Sequence, residues 1–173
     1  DLDPEYMAVT FDKDRHTFRT EMYEGYKATR KPAPDELVPQ FDLIRDVMPV
    51  VGVAVYSLDG YEGDDILGTL SLRYEKEMPV NIVTGDRDAL QLSSSRTTVF
   101  LTQKGITNMA AMTPEAVFEK YHIEPRQVID MKALMGDTAD NIPGVPGIGE
   151  KTALKLITQY DNLNNLYAHV EEI

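Results

Sequence analysis

Three short apolar runs in this chain lead straight into acidic residues, and that punctuation constrains the fold more than any other feature. Met7 to Phe11 ends on Asp12, and Val50 to Tyr56 leads into the turn Asp59-Gly60-Tyr61-Glu62-Gly63-Asp64-Asp65. Val80 to Thr84 is closed by Gly85-Asp86-Arg87-Asp88. Runs this short, bounded by turn residues, read as buried strands. A fourth strand follows at Thr97 to Thr102. Between them the apolar spacing becomes helical. Leu37, Phe41, Ile44 and Met48 share one face after Asp35 as a cap, and Ile66, Leu70 and Tyr74 share another. Strands separated by helices predict an α/β fold with a largely parallel central sheet and flanking helices.

From Thr113-Pro114 onward the pattern is helical, in segments near 114–121, 125–135, 149–159 and 162–171 separated by Pro and Gly. The expected division lies near residue 112, with an α/β part over 1–112 and a helical part over 113–173. A chain of 173 residues with 42% hydrophobic content suffices for one globular domain and a small helical subdomain. The absence of Cys excludes disulfide frameworks, zinc ribbons and thiol catalysis, and fits a cytoplasmic protein. No stretch approaches the roughly 18 to 20 apolar residues that span a bilayer. The chain opens Asp1-Leu2-Asp3-Pro4, with neither initiator Met nor signal peptide, and reads as a fragment.

The acids fall at element ends: Asp12, then Glu62/Asp64/Asp65, Asp86/Asp88 and Asp137/Asp140. In a parallel α/β sheet the C-terminal strand ends share the edge where ligands bind, so the first three groups are expected to converge there. Two carboxylates 4 Å apart repel by about 4 kcal/mol at an effective dielectric near 20. They either protonate or hold cations. Carboxylates without His or Cys suit Mg²⁺ or Mn²⁺, and two such ions serve phosphodiester hydrolysis. Taken singly, Asp86 and Asp137 also fit an ordinary cap or turn former.

Two further segments bear on partners. Asn141 to Thr152 contains Gly144, Gly147 and Gly149 followed by Glu150, so Lys151 misses its place in a phosphate-binding P-loop. A helix–hairpin–helix type turn fits better, its glycines bringing backbone amides to a DNA phosphate at a helix N-terminus, with Lys151 adding a charge. An ordinary interhelical turn is the plainer alternative. The other segment, Arg15 to Lys31, is basic and aromatic, with Arg19, Tyr23, Tyr26, Lys27 and Arg30. It suits a helical or mobile stretch that holds a phosphate and stacks on a base, or a solvated helix face.

The ordered series of strings resembles the 5′-nuclease domains of bacterial DNA polymerase I, members of the flap endonuclease family. The strings are Phe11-Asp12, Thr17-Phe18-Arg19, Gly25-Tyr26-Lys27 with Arg30, Gly60 to Asp65, Thr84 to Asp88, Gly136 to Asn141, and Pro143 to Thr152. They cover essentially the whole chain. The resemblance implies a PIN-like nuclease core, a helical arch over about 15–31 and a C-terminal helical DNA-binding module. It implies that Asp12, Glu62, Asp64 and Asp65 ligate one metal, and Asp86, Asp88, Asp137 and Asp140 a second, with Asp64 or Asp65 shared. Lys27 and Arg30 match arch residues that steer the scissile phosphate, and Tyr26 an aromatic near the terminal nucleotides. Arg19, Gly144, Gly147, Gly149, Lys151 and Thr152 match DNA-binding positions, with K⁺ bound at the Gly144–Gly149 hairpin.

The implied activity is metal-dependent hydrolysis of branched DNA at 5′ flaps, nicks and RNA primer junctions during replication and repair, in the bacterial cytoplasm. A polymerase domain follows in such a parent chain, although a stand-alone nuclease is the other possible parent. The family pattern also has an earlier strand with a ninth acid, and it often has Ala where Gly63 stands here. Two alternatives are a DNA-binding module without catalysis and a small RNA-cutting PIN-type nuclease. The net charge of −12 is at odds with nucleic-acid binding until the eight carboxylates of the two sets are assigned to metal.

Overall fold

In the computed structural model, residues 2–103 and 108–172 are described. The chain is mixed α/β and separates into two compact units, Asp1–Leu67 and Gly68–Ile173. The division falls within one continuous helix.

In the first unit, β1 (Ala8–Thr10) pairs in parallel with β2 (Ala54–Tyr56), Ala8 opposite Ala54 and Thr10 opposite Tyr56. The intervening chain forms α1 (Phe18–Met22) and α2 (Val38–Val50). Thr17 opens α1 through a capping box with Thr20, and its backbone bridges to Gly60. The expected strand from Val50 is shorter than its apolar run. Val50 ends α2, and Gly52, at φ +84°, then turns the chain in a conformation that suits glycine. The expected face Leu37, Phe41, Ile44 and Met48 does lie on α2 and its cap, yet this helix buries no residue. The buried residues described in this unit are Thr17, Tyr26, Glu62 and Gly63.

α3 (Gly63–Tyr74) carries the predicted Ile66, Leu70 and Tyr74, with Asp64 and Asp65 in its first turn, where negative charge meets the positive end of the helix.

The second unit holds the main apolar core. β3 (Val80–Thr84) pairs in parallel with β4 (Thr97–Thr102), and β5 (Met109–Met112) adds antiparallel to β4. The inner residues of β4 alternate, Thr97, Val99 and Leu101 being buried, as a half-buried strand requires. Both predicted strands keep their predicted bounds; β5 was not expected. The helices follow as α4 (Pro114–Tyr121), α5 (Val128–Met135), α6 (Glu150–Tyr160) and α7 (Leu163–Ala168). Val117, Val128, Leu134, Ala153 and Ile157 carry their packing. The tail is not wholly helical: β6 (Gly136–Asp137) pairs antiparallel with β7 (Ile142–Pro143). None of the described helices is long and apolar enough to cross a membrane.

Candidate active-site residues

In the first unit, β1 and the turn before α3 place the acids. Asp12 follows β1, and its Oδ1 accepts a hydrogen bond from the Gly63 N–H at 2.6 Å. That contact needs the α3 start close to the strand. A Cβ on Gly63 would lie 3.3 Å from the backbone of Thr10 and Phe11, so the glycine allows the approach. Arg45 donates from Nη2 to the Asp12 backbone carbonyl.

Glu62 is only 7% exposed and is surrounded by donors. Tyr26 donates its hydroxyl to Oε2 at 3.0 Å, Lys27 Nζ lies 2.8 Å from Oε1, and Arg19 Nη1 lies 3.8 Å from Oε2. Arg19 also grips Asp65 with both ends of its guanidinium, each bond 2.7 Å. Asp65 Oδ2 accepts the Glu62 N–H as well, at 2.9 Å. The Arg19 hydrogen bond is the main reason the Asp65 carboxyl is held below its ordinary range, against the opposing effect of burial. Arg19, Tyr26 and Lys27 thus meet the acids of the α3 turn, while Asp64 and Arg30 lie exposed nearby in sequence.

In the second unit, Asp86 caps the 3-10 turn Arg87–Leu92, its Oδ1 accepting from the Asp88 N–H at 2.8 Å. Asp137, at the end of β6, accepts from Ala139 N–H at 2.8 Å and Asp140 N–H at 3.3 Å. Both acids therefore fill the cap and turn roles that sequence alone allows, and these roles leave further oxygens for other ligands.

Sequence reasoning missed Lys132. Its Nζ stands 2.8 Å from Asp88 Oδ1 and 2.7 Å from Asp137 Oδ2. Burial works against the ammonium, but the hydrogen bond to Asp137 and the pairing with Asp88 outweigh it and raise its pKa. Asp88 is pushed upward, chiefly by burial, which its contact with Lys132 does not fully offset. Asp137 is held low by Lys132 and the two N–H groups, although burial alone would raise it. The available signal was position: Lys132 sits in the last turn of α5, ahead of Gly136-Asp137.

The glycine-rich segment has two distinct parts. Gly144 packs so closely on the preceding helix end that a Cβ there would lie 2.3 Å from the Met135 carbonyl. Gly147 takes φ +82°, and Gly149 starts α6 without a side-chain cap on the helix amides. Lys151 and Thr152 are exposed beside that opening.

Among the described residues, no group of three or more His, Cys, Asp or Glu side chains is assembled as a metal cage. The donor chemistry nevertheless suits a hard cation. The acids offer oxygen donors throughout, and Asp88 Oδ1 is buried without an aligned hydrogen-bond donor.

Oxygen donors suit hard divalent ions, and phosphodiester hydrolysis is one reaction that such ions serve. Comparison with known proteins points to the same class. Residues 1–122 match the family described as 5′-3′ exonuclease, N-terminal resolvase-like domain, and residues 123–173 match its C-terminal SAM fold. The chain belongs to the 5′-3′ exonuclease family, whose members are metal-dependent 5′-3′ exonucleases and flap endonucleases.

Among relatives, the DNA polymerase I of Bacillus caldotenax is 49% identical over 99% of this chain, and that of Bacillus subtilis 46% over all of it. The chain spans only about a fifth of either relative, 20% of each. A structure of the T5 5′-exonuclease with divalent zinc ions bound superposes with a TM-score of 0.82 at 23% identity, over 98% of this chain and 65% of that one. The catalytic core of Rad2 with its DNA substrate gives 0.58 at 16%, over 94% and 51%. These two likenesses establish the fold.

Proposed function

We propose that this chain forms part of a structure-specific 5′ nuclease that cuts branched DNA at 5′ flaps and nicks and removes RNA primers in bacterial replication and repair. The observation that carries the reading is the match of the whole chain, in order, to the 5′-3′ exonuclease family. In this reading Asp12, Glu62, Asp64 and Asp65 hold one divalent ion, and Asp86, Asp88, Asp137 and Asp140 hold a second, Mg²⁺ or Mn²⁺. When bound, such ions supply an activated water and neutralise charge on the phosphate.

The side chains of this protein do the rest. Lys27 and Arg30 steer the scissile phosphate, Arg19 binds DNA, and Tyr26 lies near the terminal nucleotides. Lys27 and Arg19 already pair with carboxylates, and an incoming phosphate offers them a competing anion. The uncapped amides at the start of α6, with Gly144, Gly147, Gly149, Lys151 and Thr152, grip a duplex phosphate beside a bound K⁺. Residues 1–112 form the nuclease core, with an arch over about 15–31. Residues 113–173 form the helical DNA-binding part and also contribute Asp137 and Asp140. The parent protein carries a polymerase domain and works in the cytoplasm.

The test is cleavage of a 5′-labelled flap duplex with Mg²⁺ or Mn²⁺ and an EDTA control, using this chain and a version extended to the length of the family domain. Metal-dependent cuts at the junction are expected. Intact flap binding without product from either version would make the chain a DNA-binding module. Cleavage confined to single-stranded RNA would make it a PIN-type RNA nuclease.

A further inference from the structure

The cation already present in the second acidic set has no role in the reading above. Lys132 reaches Asp137 Oδ2 and Asp88 Oδ1 at once, at 2.7 and 2.8 Å, and its side chain is 27% exposed. Only the Asp137 contact is aligned as a hydrogen bond. Asp88 Oδ1 is buried and faces the ammonium as an ion pair, without a bond directed at it. One charged group thus stands between two oxygens that belong to different elements, the 3-10 turn after β3 and the short strand β6. Without it the two carboxylates would repel each other. A lysine amine is a compact charge on a flexible four-carbon stem, so it can hold such a pair and still withdraw.

We propose that Lys132 is a tethered counter-cation that keeps Asp88 and Asp137 together before a divalent ion arrives, and that it competes with that ion for both carboxylates. This rests on the reading of Asp88 and Asp137 as metal ligands. The ammonium brings one charge and the ion two, so binding of the ion displaces the amine from at least one carboxylate. Lys132 is in this sense a positioning residue whose removal tightens metal binding while loosening the metal-free protein.

The experiment titrates Mn²⁺ into the chain at fixed pH and ionic strength and follows free Mn²⁺ by electron paramagnetic resonance. Asp88→Asn identifies the site by abolishing it. Lys132→Met is expected to bind Mn²⁺ at least tenfold more tightly there, since even at the dielectric of bulk water one charge a few ångströms from a dication opposes it by more than about 1.4 kcal/mol. Lys132→Arg, which keeps the charge, should stay near the parent affinity. Unchanged or weaker binding by Lys132→Met overturns the inference while leaving the metal reading intact. Absence of any Asp88-dependent Mn²⁺ site in the parent and in Lys132→Met overturns both. Should Lys132→Met not fold, amine-acylation footprinting of the parent decides. Labelling of Lys132 that rises with Mg²⁺ supports displacement, and labelling indifferent to Mg²⁺ sinks it.

Discussion

Asp65 shows how much one carboxylate can anchor. It accepts both ends of the Arg19 guanidinium and the Glu62 N–H while standing in the first turn of α3. Charge-assisted bonds of this kind contribute about 1.5–3 kcal/mol, so Asp65→Asn, which keeps shape but loses charge, should destabilise the chain by about 1–3 kcal/mol in urea unfolding near pH 7. The sign of the pH dependence follows from the lowered carboxyl. Its contribution is complete above the unfolded value of about 3.9 and is lost as pH falls through the lower folded value. The gap between parent and Asp65→Asn should therefore close on acidification below about pH 4, and a gap that stays constant would refute the charge argument. That Asp65 would matter was readable from its place in an acidic turn. That Arg19 would be its partner was not, because the two lie 46 positions apart and only the path of the chain brings them together.

At the scale of elements, the β6–β7 pair depends on two glycines with no room for a side chain. A methyl on Gly144 would sit 2.3 Å from the Met135 carbonyl, and one on Gly136 would sit 2.3 Å from the Gly144 nitrogen. Gly144→Ala should cost about 1–3 kcal/mol or more by forcing the backbones apart. Amide exchange at Val145, whose N–H donates to Leu134, should speed up with it. Unaltered exchange there would mean that the strands part at no cost.

β3 and β4 were legible because Val-Asn-Ile-Val-Thr and Thr-Thr-Val-Phe-Leu-Thr are β-branched and bounded by turn residues. β5 was not, since Met-Ala-Ala-Met has no β-branched residue and owes its strand to pairing with β4. The start of β2 was misjudged because apolar residues at the end of α2 run unbroken into the strand, and only Gly52 marks the turn. The acids of the candidate site were all readable as element ends. Lys132 was hidden because one lysine on a helix reads as solvent-facing until the fold brings two carboxylates to it.

For the whole molecule, a net charge of −12 makes binding to a polyanion depend on a few well-placed cations. Affinity for a flap duplex should fall with added salt as phosphate contacts release counterions, by a slope of about −0.9 per contact on a log–log plot. Lys151→Ala should weaken binding to all duplex sequences alike and make that slope shallower by about 1. An unchanged slope would remove Lys151 from the phosphate contacts.

The basic residues lodged among the acids have another consequence. Arg19 and Lys27 stand against Glu62 and Asp65, and Lys132 against Asp88 and Asp137, so part of each carboxylate set is balanced by the chain's own cations. Proteins whose acidic centres have no such balance fall apart when stripped by a chelator, because ion binding and folding are then one event. Here the two should be separable. EDTA should leave the thermal unfolding midpoint within a few degrees of its starting value while any hydrolysis stops. A large drop in that midpoint would show that the internal cations do not suffice. A midpoint that stays put would mean that the fold stands on these internal ion pairs and needs no divalent ion to hold its shape.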